Sequence, residues 1–209
     1  MTATMPLPQG PARGRRRSRR SEEAILDATL VLLGEVGFSG LTIDGIAARA
    51  GVGKATIYRH WPGKAHLVVD AFRSRIPPMA APDTGTLRGD LLTVVGHLVR
   101  GLGHSPLSRI LPALVEASEQ DPELERLFKE FGAERRAVLM GVLERAAARG
   151  ELRDGLDLDL ALELLIGPIF ARRLVIRRPL TRGYGEALVE AVLPVFTGSW
   201  EPAAPPPVR

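Results

Sequence analysis

Residues 41–64 read LTIDGIAARAGVGKATIYRHWPGK, and their spacing predicts two short helices joined by a tight turn. Apolar residues at helical intervals predict a first helix over residues 43–50 and a second over residues 54–60. Gly51 can adopt the positive φ that a sharp turn between helices requires. Two helices connected in this way form a helix-turn-helix.

The second helix of this pair carries a mixed polar surface. Val52 and Ile57 are the expected buried anchors, which leaves the remaining positions facing outward. Those positions are Lys54, Ala55, Thr56, Tyr58, Arg59 and His60. They combine groups that bind phosphate oxygens with groups that bind base edges, on a helix small enough to enter a major groove. An ordinary helical hairpin with a solvated basic face is the alternative that the pattern leaves open.

Helical patterns also flank this stretch. Ser21 is a suitable N-cap for a first helix that ends at Gly37, and a fourth helix follows over residues 62–76. Residues 1–20 contain helix-breaking proline and glycine, and six arginines crowd residues 13–20, so we predict a disordered basic arm. Three roles remain open for it: an arm in the minor groove, a non-specific phosphate tether, or a solubilising tail.

Only helices are predicted beyond the proline-rich break at residues 77–85. The expected ranges are residues 86–103, 106–118, 121–150 and 182–196, and another helix begins at residue 157 and contains residues 160–169. No alternating strand pattern occurs, so the predicted fold class is all-α. The expected organisation is a basic arm (1–20), a helix-turn-helix domain including the fourth helix (21–76), a helical bundle (86–197) and a disordered tail (198–209). Pro168 lies inside an apolar helical run. It predicts a kink in the helix, a break between two short helices, or a contact surface in a dimer interface.

The amino-acid composition excludes several classes of function. Hydrophobic residues make up 45% and charged residues 25% of the 209 residues, which is typical of a soluble globular protein. The absence of cysteine excludes disulfides, thiol nucleophiles and cysteine-based metal sites. No apolar run is long enough to span a bilayer, so we expect a cytoplasmic protein without membrane association.

The charge is unevenly distributed. Residues 1–76 carry 12 Lys+Arg and 6 Asp+Glu, a net charge of +6, whereas the remainder carries 16 and 18, a net charge of −2. A basic end on a nearly neutral chain points to an anionic partner. His97 and His104 lack a third ligand, and no nucleophile–base arrangement is evident, so no metal, cofactor or catalytic residue is expected.

Residues 23–72 resemble the DNA-binding domain of the TetR family of transcriptional repressors. The matching motifs are Gly37-Phe38, Leu41-Thr42, Ile46-Ala47, Ala50-Gly51-Val52, Thr56-Ile57-Tyr58-Arg59-His60 and Lys64-Ala65-His66-Leu67. The resemblance is specific but covers roughly a quarter of the chain. More loosely, residues 121–150 and residues 164–172, which contain Gly167-Pro168, are similar to one subgroup of TetR C-terminal domains.

The resemblance implies roles for individual residues of the helix-turn-helix. Thr42, Tyr58, His60 and Lys64 match positions that hold phosphates, whereas Lys54, Ala55, Thr56 and Arg59 match positions that approach base edges. Asp44 departs from the pattern, because some members present a base-contacting cation there. We assign Asp44 to capping or solvent.

The resemblance further implies a ligand-binding and dimerisation domain, in a homodimer that binds a pseudo-palindromic operator and is released by an inducer. The many aliphatic and aromatic positions of residues 86–150 predict that this inducer is apolar or amphipathic. The candidate pocket residues, which also suit a plain core, are Leu91, Val95, Leu98, Leu111, Leu114, Phe128, Phe131 and Leu139. The candidate interface residues are Leu164, Leu165, Pro168, Ile169, Leu188, Val192 and Val195. The fourth helix is expected to be the only rigid link between the domains.

Two other functions compete with this interpretation. One is an all-helical small-molecule-binding protein or enzyme without a DNA role. The other is a DNA-binding activator without ligand control.

Overall fold

The computed structural model describes residues 12–76, 80–104 and 107–199, and these form helices without any strand, as predicted. The helices are α1 (Ala12–Gly40), α2 (Ile43–Ala50), α3 (Lys54–Tyr58), α4 (Lys64–Ser74), α5 (Leu87–His104), α6 (Leu107–Ser118), α7 (Pro122–Ala148), α8 (Leu158–Phe170) and α9 (Arg182–Thr197). A π-helical turn, Ala171–Val175, follows α8. In the described part of the chain, no helix is both long and apolar enough to cross a membrane.

The first helix begins earlier than the sequence predicts. It starts at Ala12 rather than Ser21, so the prediction of disorder is wrong for residues 12–20, whereas residues 1–11 lie outside the described chain. Arginine is a strong helix former, and Gly14 alone lowers helix stability by only about 1 kcal/mol. Gly37 interrupts the helix with a φ of 68°, at the residue where the sequence predicts its end.

The helices around residue 60 are shorter than predicted. α3 ends at Tyr58 rather than His60, and α4 begins at Lys64 rather than Pro62, with Gly63 as its N-cap. The backbone N–H groups of His60 and Trp61 both donate to the carbonyl of Ile57, at 2.9 and 3.0 Å. A residue that precedes proline avoids helical geometry, so α3 cannot continue through Trp61 into Pro62.

The described residues pack as two units. The first contains residues 12–75 and 117–127, and the second contains the other described residues. The sequence places residues 117–127 in the C-terminal domain, but the first turn of α7 packs within the N-terminal unit, where Leu124 is fully buried. The chain therefore passes between the units after residues 75, 116 and 127, so α4 is not the only link.

Within the first unit, α1 packs against α2 and α4, and α2 packs against α3. The buried side chains at its centre include Ile25, Leu33, Ile46, Ile57 and Leu67. Ile57 is the only residue of α3 that is buried, so α3 lies on the surface of the unit with one side anchored.

Within the second unit, α5 packs against α9, and α8 packs against both. A Cβ on Gly185 would lie 3.0 Å from Cγ1 of Val95 and 3.1 Å from Cγ2 of Val99, so glycine permits the close approach of α9 to α5. The fully buried Asp90 accepts hydrogen bonds from the backbone N–H and the hydroxyl of Thr84, at 2.6 and 2.8 Å. Arg149 donates to the same carboxylate at 3.3 Å.

α8 continues past Pro168 to Phe170, so the break between two short helices is absent. The hydroxyl of Tyr184 donates to the Pro168 carbonyl at 3.1 Å, and the Arg172 guanidinium lies 4.2 Å from the centre of the Tyr184 ring. These contacts from α9 hold the end of α8, and the hydrogen bond from Ile176 N–H to the Ala171 carbonyl closes the π turn.

Candidate nucleic-acid interface

The turn between α2 and α3 is built by local hydrogen bonds. The Thr42 hydroxyl accepts from the backbone N–H of Gly45 at 3.1 Å and thereby caps α2. Gly51 adopts a φ of 66° and ends α2, and the Val52 N–H donates to the Ala47 carbonyl at 3.0 Å. This left-handed position favours glycine, so the turn depends on Gly51.

The surface of α3 and the two residues after it contains the residues predicted to contact DNA. Lys54, Ala55, Tyr58, Arg59 and His60 are exposed, and Thr56 is half-buried. Tyr58 is 55% exposed although it is a large aromatic residue. An exposed tyrosine, arginine and histidine on one short helix and the turn after it present hydrogen-bond donors to a ligand outside the protein.

A cleft of about 400 Å³ lies between the start of α1 and α3. Its lining residues are Ser18, Ser21, Gly51, Val52, Gly53, Thr56, Arg59 and His60. None of them is acidic, and their hydroxyl, guanidinium and imidazole groups all suit an anion. Sequence reasoning missed Ser18 and Ser21 as site residues because it began the first helix at Ser21; the run of arginines, which favours helix, was the available signal.

Lys64 has a partner inside the protein. Its ammonium donates to the Phe38 carbonyl at 2.9 Å and lies 4.2 Å from the centre of the Phe38 ring. The side chain is half-buried, and its ammonium caps the last carbonyl groups of α1, beyond the interruption at Gly37. The resemblance implied that Lys64 contacts a phosphate, whereas in the structure its ammonium binds the Phe38 carbonyl.

Asp44 forms an ion pair with Lys54 across the turn. The hydrogen bond from the Lys54 ammonium to this carboxylate, together with the attraction between the charges, raises the pKa of Lys54 above its usual value. Thr42 is the cap of α2, so the capping role considered for Asp44 is wrong, whereas its exposure to solvent is confirmed; its carboxylate also pairs with Lys54. The sequence does not predict this ion pair, because only the folded turn between α2 and α3 brings the two residues together.

Two family models match most of the chain. The model described as "Bacterial regulatory proteins, tetR family" matches residues 25–71, and "Tetracyclin repressor-like, C-terminal domain" matches residues 81–192. The chain belongs to the TetR family of transcriptional regulators. The resemblance of residues 23–72 is thereby confirmed, and the looser resemblance of the C-terminal part is extended to most of the second unit.

Related proteins support this assignment, and their sequence matches extend over most of their length. The chain is 38% identical over 182 residues to the uncharacterized HTH-type transcriptional regulator YdeS of Bacillus subtilis, covering 85% of this chain and 90% of that protein. It is 32% identical over 189 residues to the DNA-binding transcriptional repressor TetR of Mycobacteroides abscessus, covering 88% and 96%.

Solved structures share the fold of this TetR-family chain. The crystal structure of the TetR family transcription regulator SCO0332 has a TM-score of 0.64 and 30% identity, and the match covers 83% of this chain and 96% of that one. The flavonoid-responsive regulator FrrA has a TM-score of 0.66 and 26% identity, with 88% and 99% covered.

The candidate pocket residues of this TetR-family protein all lie in the second unit. Six are buried, namely Leu91, Val95, Leu111, Leu114, Phe131 and Leu139, whereas Leu98 and Phe128 are half-buried. The rings of Phe128 and Phe131 stack with their centres 6.4 Å apart. The group is apolar, and its role in ligand binding stays a prediction.

The candidate interface residues divide into two groups. Leu165, Ile169 and Leu188 are buried within the protomer, so they do not offer a free surface, and this part of the prediction is corrected. Leu164 is exposed, whereas Pro168, Val192 and Val195 are half-buried. Leu160, which the sequence prediction missed, is 52% exposed on the same helix. Hydrophobicity alone cannot tell which side of α8 packs against α9.

The two lysines of the interface are expected to differ in their effect on stability. Lys64→Met removes a charge-assisted hydrogen bond from a half-buried site and should lower the free energy of unfolding by about 1.5 kcal/mol. Lys54→Met disrupts only an exposed ion pair and should change stability little. Urea unfolding followed by the fluorescence of the buried Trp61 measures both. Equal destabilisation by the two substitutions would contradict the capping role of Lys64.

Proposed function

We propose that the protein is a homodimeric repressor that binds a pseudo-palindromic operator and releases it when a small-molecule inducer binds. The observation that carries the proposal is the exposed donor-rich surface of α3 beside a cleft without acidic residues. Membership of the TetR family makes transcriptional regulation the function class, and the similarity to a DNA-binding repressor supports repression.

In this proposal α3 enters the major groove of the operator. Tyr58 and His60 donate to phosphates, while Arg59 donates to the O6 and N7 acceptors of guanine. Lys54, Ala55 and Thr56 face the base edges, and Thr42 lies at the phosphate backbone. Lys64 contributes less to phosphate binding, because its ammonium already caps α1.

The start of α1 acts in this proposal as a phosphate tether. An α-helix with side chains is about 10–12 Å wide, whereas the minor groove is about 6 Å wide, so helical residues 12–20 do not suit minor-groove insertion. The cleft between Ser18 and Arg59 would instead follow a DNA strand, with phosphates bound by the hydroxyl, guanidinium and imidazole groups. The arginines of α1 then add affinity that does not depend on sequence.

Dimerisation would supply the second recognition helix. Leu160, Leu164 and Gly167 are exposed on α8 at spacings of four and three, which places them on one face. On α9 the exposed residues Gly183, Ala187 and Ala191 follow one another every four positions. Leucines beside small residues allow two copies of these helices to approach closely in an isologous interface.

The inducer would bind among the apolar side chains of the second unit. The similar protein FrrA is named as flavonoid-responsive, which supports an apolar or amphipathic ligand. α7 begins in the first unit and continues in the second, and the chain also passes between them after residues 75 and 116. A ligand that changes the packing around α7 would in this way alter the DNA-binding unit through a continuous helix.

Selection from a random duplex DNA library tests operator binding. The wild-type protein should enrich a motif with two related half-sites separated by about one helical turn. Tyr58→Ala should weaken binding to all sequences and leave its salt dependence unchanged, because tyrosine carries no charge, whereas Arg59→Ala should change the preferred bases. If the wild type enriches no sequence, the DNA role is refuted and the small-molecule-binding protein or enzyme is favoured. If it does enrich a motif, a reporter gene controlled by that motif distinguishes a repressor from an activator.

Analytical ultracentrifugation tests the dimer. Leu160→Glu and Leu164→Glu each place an unpaired charge in the proposed interface and should convert the dimer to a monomer at micromolar concentration. Val36→Glu serves as the control, because it also replaces an exposed apolar residue with an acidic one, but on α1. This variant should leave the dimer intact. Dimers of unchanged affinity in both α8 variants would refute the α8 interface.

Calorimetry with and without operator DNA tests the switch. Because linkage is reciprocal, an inducer that weakens DNA binding by some factor must itself bind more weakly, by the same factor, to the DNA-bound protein. Couplings of about 1–3 kcal/mol are typical, which corresponds to a factor of roughly 5–150. A ligand that binds equally well to free and DNA-bound protein would contradict ligand control by that compound.

A further inference from the structure

Asp44 and Lys54 form a pair of opposite charges at the edge of the recognition surface. Asp44 is the second residue of α2 and Lys54 is the first residue of α3, so their ion pair bridges the turn. Their side chains are nevertheless 67% and 58% exposed. The carboxylate does not cap α2, because the Thr42 hydroxyl does so. Both groups therefore face solvent on the side of the turn where α3 begins.

The pair is a poor ligand for phosphate. A phosphate that approached the Lys54 ammonium would also approach the Asp44 carboxylate, and its repulsion would offset much of the attraction. Tyr58 and His60 have no acidic partner of this kind among the described residues. Lys54 therefore differs from the other donors of the surface, and its contribution has to come from neutral partners such as base edges.

A G·C base pair matches the remaining hydrogen-bonding capacity of the two side chains. The ammonium has three donors and uses one on Asp44, while the carboxylate retains acceptor sites. Across the major groove, a G·C pair presents two adjacent acceptors, N7 and O6 of guanine, followed by the N4 donor of cytosine. An A·T pair instead places its N6 donor between two acceptors and adds the thymine methyl group.

We propose that Asp44 is a specificity-determining residue that reads one G·C base pair of each half-site together with Lys54. The ammonium donates to N7 and O6 of guanine, and the carboxylate accepts from the N4 amino group of cytosine. This role rests on the proposed binding of α3 in the major groove. It assigns a base-reading function to the one acidic residue that pairs with α3 in the described structure.

Selection from a random duplex library with the wild type, Asp44→Asn and Asp44→Ala tests the proposal. Asn keeps an acceptor oxygen without the charge, whereas Ala removes both. The wild type should strongly prefer one G·C pair, the Asn variant should keep part of that preference, and the Ala variant should lose about tenfold in discrimination against A·T at that position. The other positions of the motif should be unchanged.

Glu35→Ala provides the matched control. Glu35 forms an exposed ion pair with Arg49 at 2.7 Å, so its removal changes the net charge by the same amount but does not affect α3. The preferred motif of this variant should equal that of the wild type. Thermal unfolding of all variants verifies that the fold is retained.

Two results would overturn the role of Asp44. In the first, Asp44→Asn and Asp44→Ala raise affinity equally for all sequences and steepen the salt dependence, which identifies Asp44 as a mere negative charge near DNA. In the second, both variants select the wild-type motif without change. In both cases the wild type still enriches a motif, so the proposed operator binding stands and only the role of Asp44 fails. If the wild type enriches no motif, operator binding itself is refuted.

Discussion

The burial of Ile57 against the helices of the first unit is the constraint on which the recognition surface depends. α3 has only five residues, and a helix of that length has no stability of its own in water. Ile57 is completely buried, which contributes about 1.5–3 kcal/mol for a side chain of this size. Because this single anchor orients α3, the neighbouring side chains at positions 55, 58 and 59 are directed outward.

The cations of the first unit are used in different ways. Lys64 caps the end of α1 and Lys54 is paired with Asp44, so neither lysine is a freely available positive charge. Arg49 and Arg75 are paired with Glu35 and Asp27. The net charge of +6 over residues 1–76 therefore resides mainly in the arginine block of α1 and in Arg59. In the proposed complex, attraction to DNA and selection among its sequences would thus come from different elements.

Local signals made the helix-turn-helix predictable. Gly51 ends α2 with positive φ and Ile57 is buried, both as the sequence predicts, whereas the other expected anchor, Val52, is only half-buried. These features depend on residues within a few positions of one another. The donors of α3 could be identified for the same reason, since one buried residue in a short helix leaves the others outside.

Features that depend on tertiary packing were not predictable. The ion pair between Asp44 and Lys54 requires the geometry of the folded turn, and the cap that Lys64 places on Phe38 joins residues 26 positions apart. The division of leucines on α8 depends on where α9 and α5 lie, so Leu165 is buried and Leu164 is exposed although both are equally apolar. The grouping of residues 117–127 with the first unit is likewise a property of the folded chain.

The shortness of α3 also bears on why the proposed repressor would act as a dimer. A five-residue helix reaches only a few base pairs, and each good bidentate contact contributes about 1–3 kcal/mol of discrimination. Specific binding is typically about 4–10 kcal/mol tighter than non-specific binding, so one α3 alone falls short. Two copies of α3 fixed by one interface double the number of bases read without lengthening the helix. The exposed face of α8 that contains Leu160 and Leu164 would then serve DNA recognition as directly as α3 does, because it determines the distance between the two recognition helices.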